Sequence, residues 1–369
     1  MKQTGVHSGC QGLLRGIALL GAGLLAASGL AQTPRDGLTK NNPPATGGEP
    51  YKIVNTAQWP GDGAIHDLAA DSEGRRLYVP RGSAVLVFDL DTLKPAATLT
   101  NIQAHGVAVD AKCHHAFASS QPLAMWDTRT QSLIKTIPAG GDPDGILCDP
   151  ASDRIVVLSH SAPNVTVLDA RDGSLLGTLD LDGEPEQGQC DGQGRLYVEL
   201  EDQDSVAVVD LPTLKRTATY QLGGQGGGPE GLGLDVKNHR LFVFCRKPAT
   251  CVVLNTEDGR ILDSLPIGEG SDDGGFNPNT MEAFSSQRDG TLTIIKETSP
   301  AGFVVEQNVR TKPGAKTCAL DTRKNQIVLI TVERPAVPAG APADGRPGGR
   351  GYSGPGLLDI LVAGPATVP

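Results

Sequence analysis

Positive charge is in short supply in this chain relative to negative charge. Against 42 Asp and Glu stand only 32 Lys and Arg in 369 residues, a formal net charge of −10 with histidine neutral. That balance repels a phosphate backbone and argues against nucleic acid as a partner. Aromatic residues are scarce at 4%, with two tryptophans. The short catalytic signatures are missing as well. Cys113-His114-His115 lacks the first cysteine of a CxxCH haem site. GGQGGGPEG at Gly223 to Gly231 lacks the lysine of a phosphate loop, so no nucleotide cofactor is expected. No GxSxG elbow occurs, and Ser159-His160-Ser161 has no spacing that predicts a triad.

What the chain does have is a repeat. Gly141 to Leu181 reads GDPDGILCDPASDRIVVLSHSAPNVTVLDARDGSLLGTLDL, in which four short runs rich in Val, Ile, Leu and Thr are separated by Asp, Pro, Asn and Gly turns. Four such strands make one antiparallel sheet. The polar residue ending each first strand recurs at Asp71, Asp110, Asp149, Asp191, Asp235, Asn277 and Asp321, at intervals of 39 to 44 residues. Second strands fall in register behind them, as RLYV, HAFA, RIVV, RLYV, RLFV and QIVL. A period of about 40 residues with four strands per unit predicts an all-β, seven-bladed propeller of four-stranded antiparallel blades.

The ends of the chain refine that reading. Residues 1–31 look like a secretory signal peptide: Lys2 and Arg15, an apolar run from Gly16 to Leu25, then small residues up to Ala31. This run is too short and Gly-rich for a membrane span, so after cleavage no stable span is expected and the chain is placed in the periplasm or secreted. Residues 32–50 read as a flexible linker, 51–364 as the propeller, 334–355 as a Pro/Gly-rich mobile loop in the last blade, and 365–369 as a tail. Tyr51 to Ala57 resembles a fourth strand with nothing before it, while the last blade lacks one. Pairing Tyr51–Ala57 with Leu357–Val362 would close the ring and remove open sheet edges. Cys245 and Cys251 flank a short hairpin and are candidates for a disulfide in an oxidising compartment, whereas Cys148 and Cys190, at matching positions in neighbouring blades, read as small buried thiols.

Candidate chemistry follows from the repeat. Five residues before each marker stands the residue that opens the innermost strand: His66, His105, Asp144, Glu186, Glu230, Asp272 and Lys316. All should converge on one mouth of the central channel. Loops between second and third strands open on the same face and add Arg81, Gln121, His160, Glu201, Asp202, Arg246, Lys247 and Arg288, whose arginines suit a carboxylate or phosphate group. The ring is read as a ligand-binding set of His66, His105, Asp144, Glu186, Glu230, Asp272, Arg81 and Arg246. One divalent metal ion on His66, His105, Asp144, Glu186 and Glu230 is a further possibility, and a water-filled polar channel is the bland alternative.

HDLAAD, GDPDGILCDP, GEPEQGQCDGQGRLYVELEDQDSVAVVD, GLGLDVKNHRLFV, FNPNTMEAFSSQRDGTLTI and KPGAKTCALD together make residues 51–333 resemble the secreted YVTN or YncE-like propellers of bacteria. The resemblance implies a seven-bladed propeller outside the cytoplasm and brings no agreed activity. With only Trp59 and Trp126, the chain lacks the repeated tryptophans of quinone-cofactor propellers. The expectation is therefore a monomeric binding or scaffold module for a small molecule or an extracytoplasmic protein, rather than an enzyme. Two alternatives stay open: a metal-assisted hydrolase or lyase in the manner of propeller lactonases, and an accessory subunit of a redox complex.

Overall fold

The computed structural model describes residues 50–333 and 356–366. The signal-peptide reading, nearly all of the linker and the 334–355 loop lie outside these residues. Within them, twenty-eight strands form seven four-stranded antiparallel sheets, and the one helical turn is the 3-10 segment Glu201–Gln203. Innermost strands are Ala69–Asp71, Val107–Asp110, Pro143–Asp149, Pro185–Cys190, Pro229–Asp235, Ser271–Asn277 and Thr317–Asp321, blades one to seven in order.

The marker residues work as turn formers. Each accepts a hydrogen bond through Oδ1 from a main-chain N–H two or three residues on: Gly74, Lys112, Ala151, Gln193, Lys237, Asn279 and Arg323, at 2.7–3.2 Å. These bonds support a tight corner whose last residue is left-handed. Arg75, His114, Asp153, His239, Met281 and Asn325 all take φ of 52–60° there, a conformation that costs a side chain energy unless its surroundings hold it.

Every blade is buried on both faces, which explains second strands that are apolar without alternation. In RIVVLS, Val156 and Leu158 face blade four, while Ile155 and Val157 face blade two. Seven apolar clusters result, one between each pair of neighbouring blades. The same alternation removes the disulfide expectation. Strands Arg240–Arg246 and Ala249–Asn255 leave only two turn residues, and Cys245 pairs with Thr250 while Cys251 pairs with Phe244. The two thiols therefore point to opposite faces, into the clusters against blades four and six, and both are free.

Blade seven closes as the sequence predicts and extends further. Strand Tyr51–Gly61 is its outermost member, paired with Gly356–Pro365 from Tyr51↔Pro365 to Gly61↔Gly356. Pro365, expected in the tail, is thus part of the sheet. Tyr51 donates its hydroxyl to Glu282 of blade six (2.6 Å), and Trp59 its indole N–H to the Leu93 carbonyl of blade one (2.9 Å), so the closing strand is fastened on both sides. Arg75 adds a two-pronged ion pair to Asp321 across the seam at 2.7 and 2.8 Å. Inner strands crowd round the axis: a Cβ at Gly145 would stand 2.4 Å from the Glu186 carbonyl oxygen, and one at Gly231 only 2.8 Å from the Asp273 main chain.

Candidate functional site

All seven residues that open the inner strands line one cavity of about 210 Å³ at one end of the channel: His66, His105, Asp144, Glu186, Glu230, Asp272 and Lys316. They share it with Ile65, Asp67, Gln187, Glu201, Arg246 and Arg288. Of the sequence-derived binding set only Arg81 is absent. Arg81 ends the second strand of blade one and is buried, and its Nη2 donates to the carbonyls of Gly61 and Gly356, the last pair of the closing sheet. It serves closure.

The remaining side chains sort into two halves. In blades five to seven Arg246 reaches Glu230 and Asp272, while Arg288 (2.9 Å) and Lys316 also close on Asp272. Three fixed cations thus surround one carboxylate whose side chain is 6% exposed. Burial lowers the Lys316 ammonium and the Arg246 guanidinium from their ordinary values, and in each case a neighbouring cation adds to it. Arg288 stays more than half exposed at the rim.

In blades one to four the partners are imidazoles. His105 Nδ1 lies 2.5 Å from Asp144 Oδ1. His160, at the end of the second strand of blade three, puts Nε2 3.3 Å from Asp144 Oδ2 and 3.2 Å from Glu186 Oε1. Burial alone would raise Asp144, but the hydrogen bonds from His105 and His160 outweigh it and hold the carboxyl well below its usual range. The Asp144 and Glu186 hydrogen bonds lift His160 to about 10, and the Asp144 bond raises His105. Glu186 is pushed up by burial, which its bond to His160 only partly offsets. His66 stands apart: it stacks on His105 with ring centroids 4.6 Å apart and planes 4° from parallel, and burial, aided by His105, lowers it to about 4. Stacked in this way, His66 and His105 are not brought together with the carboxylates as one ligand set. His160 is, together with Asp144 and Glu186, and a second close set is Glu186, Glu201 and Glu230.

Deeper in the channel lies a cavity of about 290 Å³, reached past Asp67 and Gln187, which line both spaces. Gln187 donates to Asp273 Oδ1 (2.7 Å), and the Cys318 N–H to Asp273 Oδ2 (2.8 Å). Burial pushes Asp273 up to about 6; burial and the charge of Asp273 push Asp67 well above the carboxylate range. The sequence reading missed this second tier, although its signal is the same period displaced by one residue. Glu199, close in sequence to the loop residues Glu201 and Asp202, is fully buried and accepts the Gly231 N–H at 3.0 Å.

No family model matches the chain, and no curated protein matches its sequence. Solved structures do match in shape. The WD40 repeats of RRP9 superpose with a TM-score of 0.67 at 10% identity, covering 85% of this chain and 99% of that one. The U3-55K structure gives 0.67 at 9%, covering 84% and 99%. At such identities the likeness establishes the seven-bladed propeller fold and nothing finer. No helix among the described residues is long and apolar enough to cross a membrane.

Proposed function

We propose that this protein is an extracytoplasmic, YncE-like binding propeller that captures a small, charged, polar ligand at its channel mouth. The observation that carries the proposal is the convergence of all seven strand-opening side chains on one cavity, six of them histidine or carboxylate. Concave sites with a few converging polar groups at the ends of inner strands are where such scaffolds bind. The propeller fold itself is compatible with many functions, so the argument rests on the site. The motifs from HDLAAD to KPGAKTCALD support the YncE-like reading, and the apolar run Gly16–Leu25 followed by small residues supports export. N-terminal sequencing of the protein from its native cell should begin at Gln32; an intact Met1 terminus on the bulk of the protein would defeat the export reading.

The binding test is a thermal-shift panel of amino acids, dicarboxylates and organic phosphates. A hit that disappears in both Arg288→Ala and Glu186→Gln assigns the ligand to the mouth. Absence of any hit, or hits that survive both substitutions, overturns the proposal. One observation favours a second reading, a metal-assisted hydrolase or lyase: the close approach of His160 to two carboxylates.

A further inference from the structure

The acidic half of the mouth has the geometry of a metal centre. Asp144 and Glu186 open the inner strands of blades three and four, His160 lies just past the second strand of blade three, and the donor atoms of all three converge on one spot. Around Zn²⁺, nitrogen and oxygen ligands sit at about 2.0–2.2 Å, which places neighbouring donors about 3–3.5 Å apart. Nε2 of His160 is 3.3 Å from Asp144 Oδ2 and 3.2 Å from Glu186 Oε1, and all three donor atoms lie within 4.8 Å of one another. The free oxygen of Asp144 is engaged by His105 at 2.5 Å, an outer partner that fixes the carboxylate's orientation.

We propose that Asp144, His160 and Glu186 bind one divalent first-row metal ion, with His105 as the positioning residue behind Asp144. The proposal rests on the reading of the mouth as the binding face and names what that face binds first. One imidazole and two carboxylates suit Zn²⁺ or Mn²⁺ better than Ca²⁺, which takes six to eight oxygens. Three protein ligands leave coordination positions open toward the 210 Å³ cavity, where an oxygen of a bound ligand can enter. Arginine and lysine cannot be displaced in this way: Arg246 already occupies Glu201 and Glu230 of the second close set, and three cations hold Asp272, so the opposite half offers no second site.

The test is calorimetric titration of the full-length, tag-free, chelator-stripped protein with ZnCl₂ and MnCl₂. One equivalent should bind. His160→Ala and Glu186→Gln should each weaken binding at least about tenfold, and His105→Ala about tenfold to a hundredfold. His66→Ala should leave affinity within about threefold. Circular dichroism melts report whether each variant is folded, and Asp144→Asn replaces any that is not. No binding at millimolar metal overturns the proposal, as does binding that survives His160→Ala but is lost in His66→Ala. Repeating the ligand panel with and without metal separates the two readings: metal uptake with no ligand response sinks only the small-ligand reading, and a mouth-dependent ligand response with no metal uptake sinks only this one.

Discussion

The two halves of the channel mouth solve one electrostatic problem with different chemistry. Each holds two carboxylates on strand-opening residues, Asp144 and Glu186 on one side, Glu230 and Asp272 on the other. Around Asp272 the neutralising charges are guanidinium and ammonium groups that stay protonated near neutral pH. Around Asp144 and Glu186 they are imidazoles, which these carboxylates also keep protonated but whose ring nitrogens, unlike a guanidinium, can give up the proton to a metal ion. The first half is a fixed structural cluster, and the second is poised to accept something. A propeller built from one repeated blade pattern has thus divided its axis into a rigid sector and an exchangeable one.

Breaking the rigid sector should produce the largest effect. Asp272→Ala leaves Arg246, Arg288 and Lys316 facing one another across a nearly buried gap. Removing one partner of a buried charge cluster costs about 3–5 kcal/mol, and the partial exposure of Arg288 and Lys316 puts the expected loss near the lower end, about 3 kcal/mol by urea denaturation. A loss under about 1 kcal/mol would show that solvent already screens these charges and that the rigid half is not rigid.

His66 sharpens the contrast through pH. Its folded value is lowered to about 4, so the folded protein keeps this ring neutral while the unfolded chain protonates it near 6.5. Its contribution is therefore lost as pH falls from the unfolded value toward the folded one. At pH 7.5, His66→Ala should be less stable than the parent by about 0.5–1 kcal/mol, from the lost stack on His105. Near pH 5 the variant escapes the cost of excluding a proton, worth about 1.5–2 kcal/mol, and should become the more stable of the two. Parallel urea melts at the two pH values read this crossing directly; curves that keep a constant offset would place His66 in contact with water.

Much of this was legible before any coordinates. Turn-forming markers are local chemistry, and their period carried the blade count, the strand-opening ring and the closing of blade seven by Tyr51. What escaped depends on contacts between distant segments. Arg81 was read into the binding set with Arg246, yet it stands five residues after the start of its second strand where Arg246 stands six, and the Gly61–Gly356 pair of the closing sheet takes up its guanidinium. Cys245 and Cys251 looked bridgeable by separation, and a one-residue matter of register put them on opposite faces. His160 was placed on the correct face but not between Asp144 and Glu186, although it stands six residues after the start of its second strand, just as Glu201, Arg246 and Arg288 stand six after the starts of theirs. Asp67 and Asp273 were simply one position past the ring.

The smallest expected effect tests whether the imidazole half is as loosely held as its chemistry suggests. His105 and Asp144 are 38% and 22% exposed at the side chain, so water competes for their bond and salt screens it. A double-mutant cycle with His105→Ala and Asp144→Asn, run on metal-free protein at pH 7.5, should give a coupling of about 0.5–1 kcal/mol that shrinks in 1 M NaCl. The matching cycle with Arg246→Ala and Asp272→Ala should give about two to three times as much and respond less to salt, because Asp272 is nearly buried. Equal couplings would erase the distinction between the sectors. A weak coupling on the imidazole side is what an exchangeable site requires, since an ion or ligand arriving there displaces little that the fold depends on.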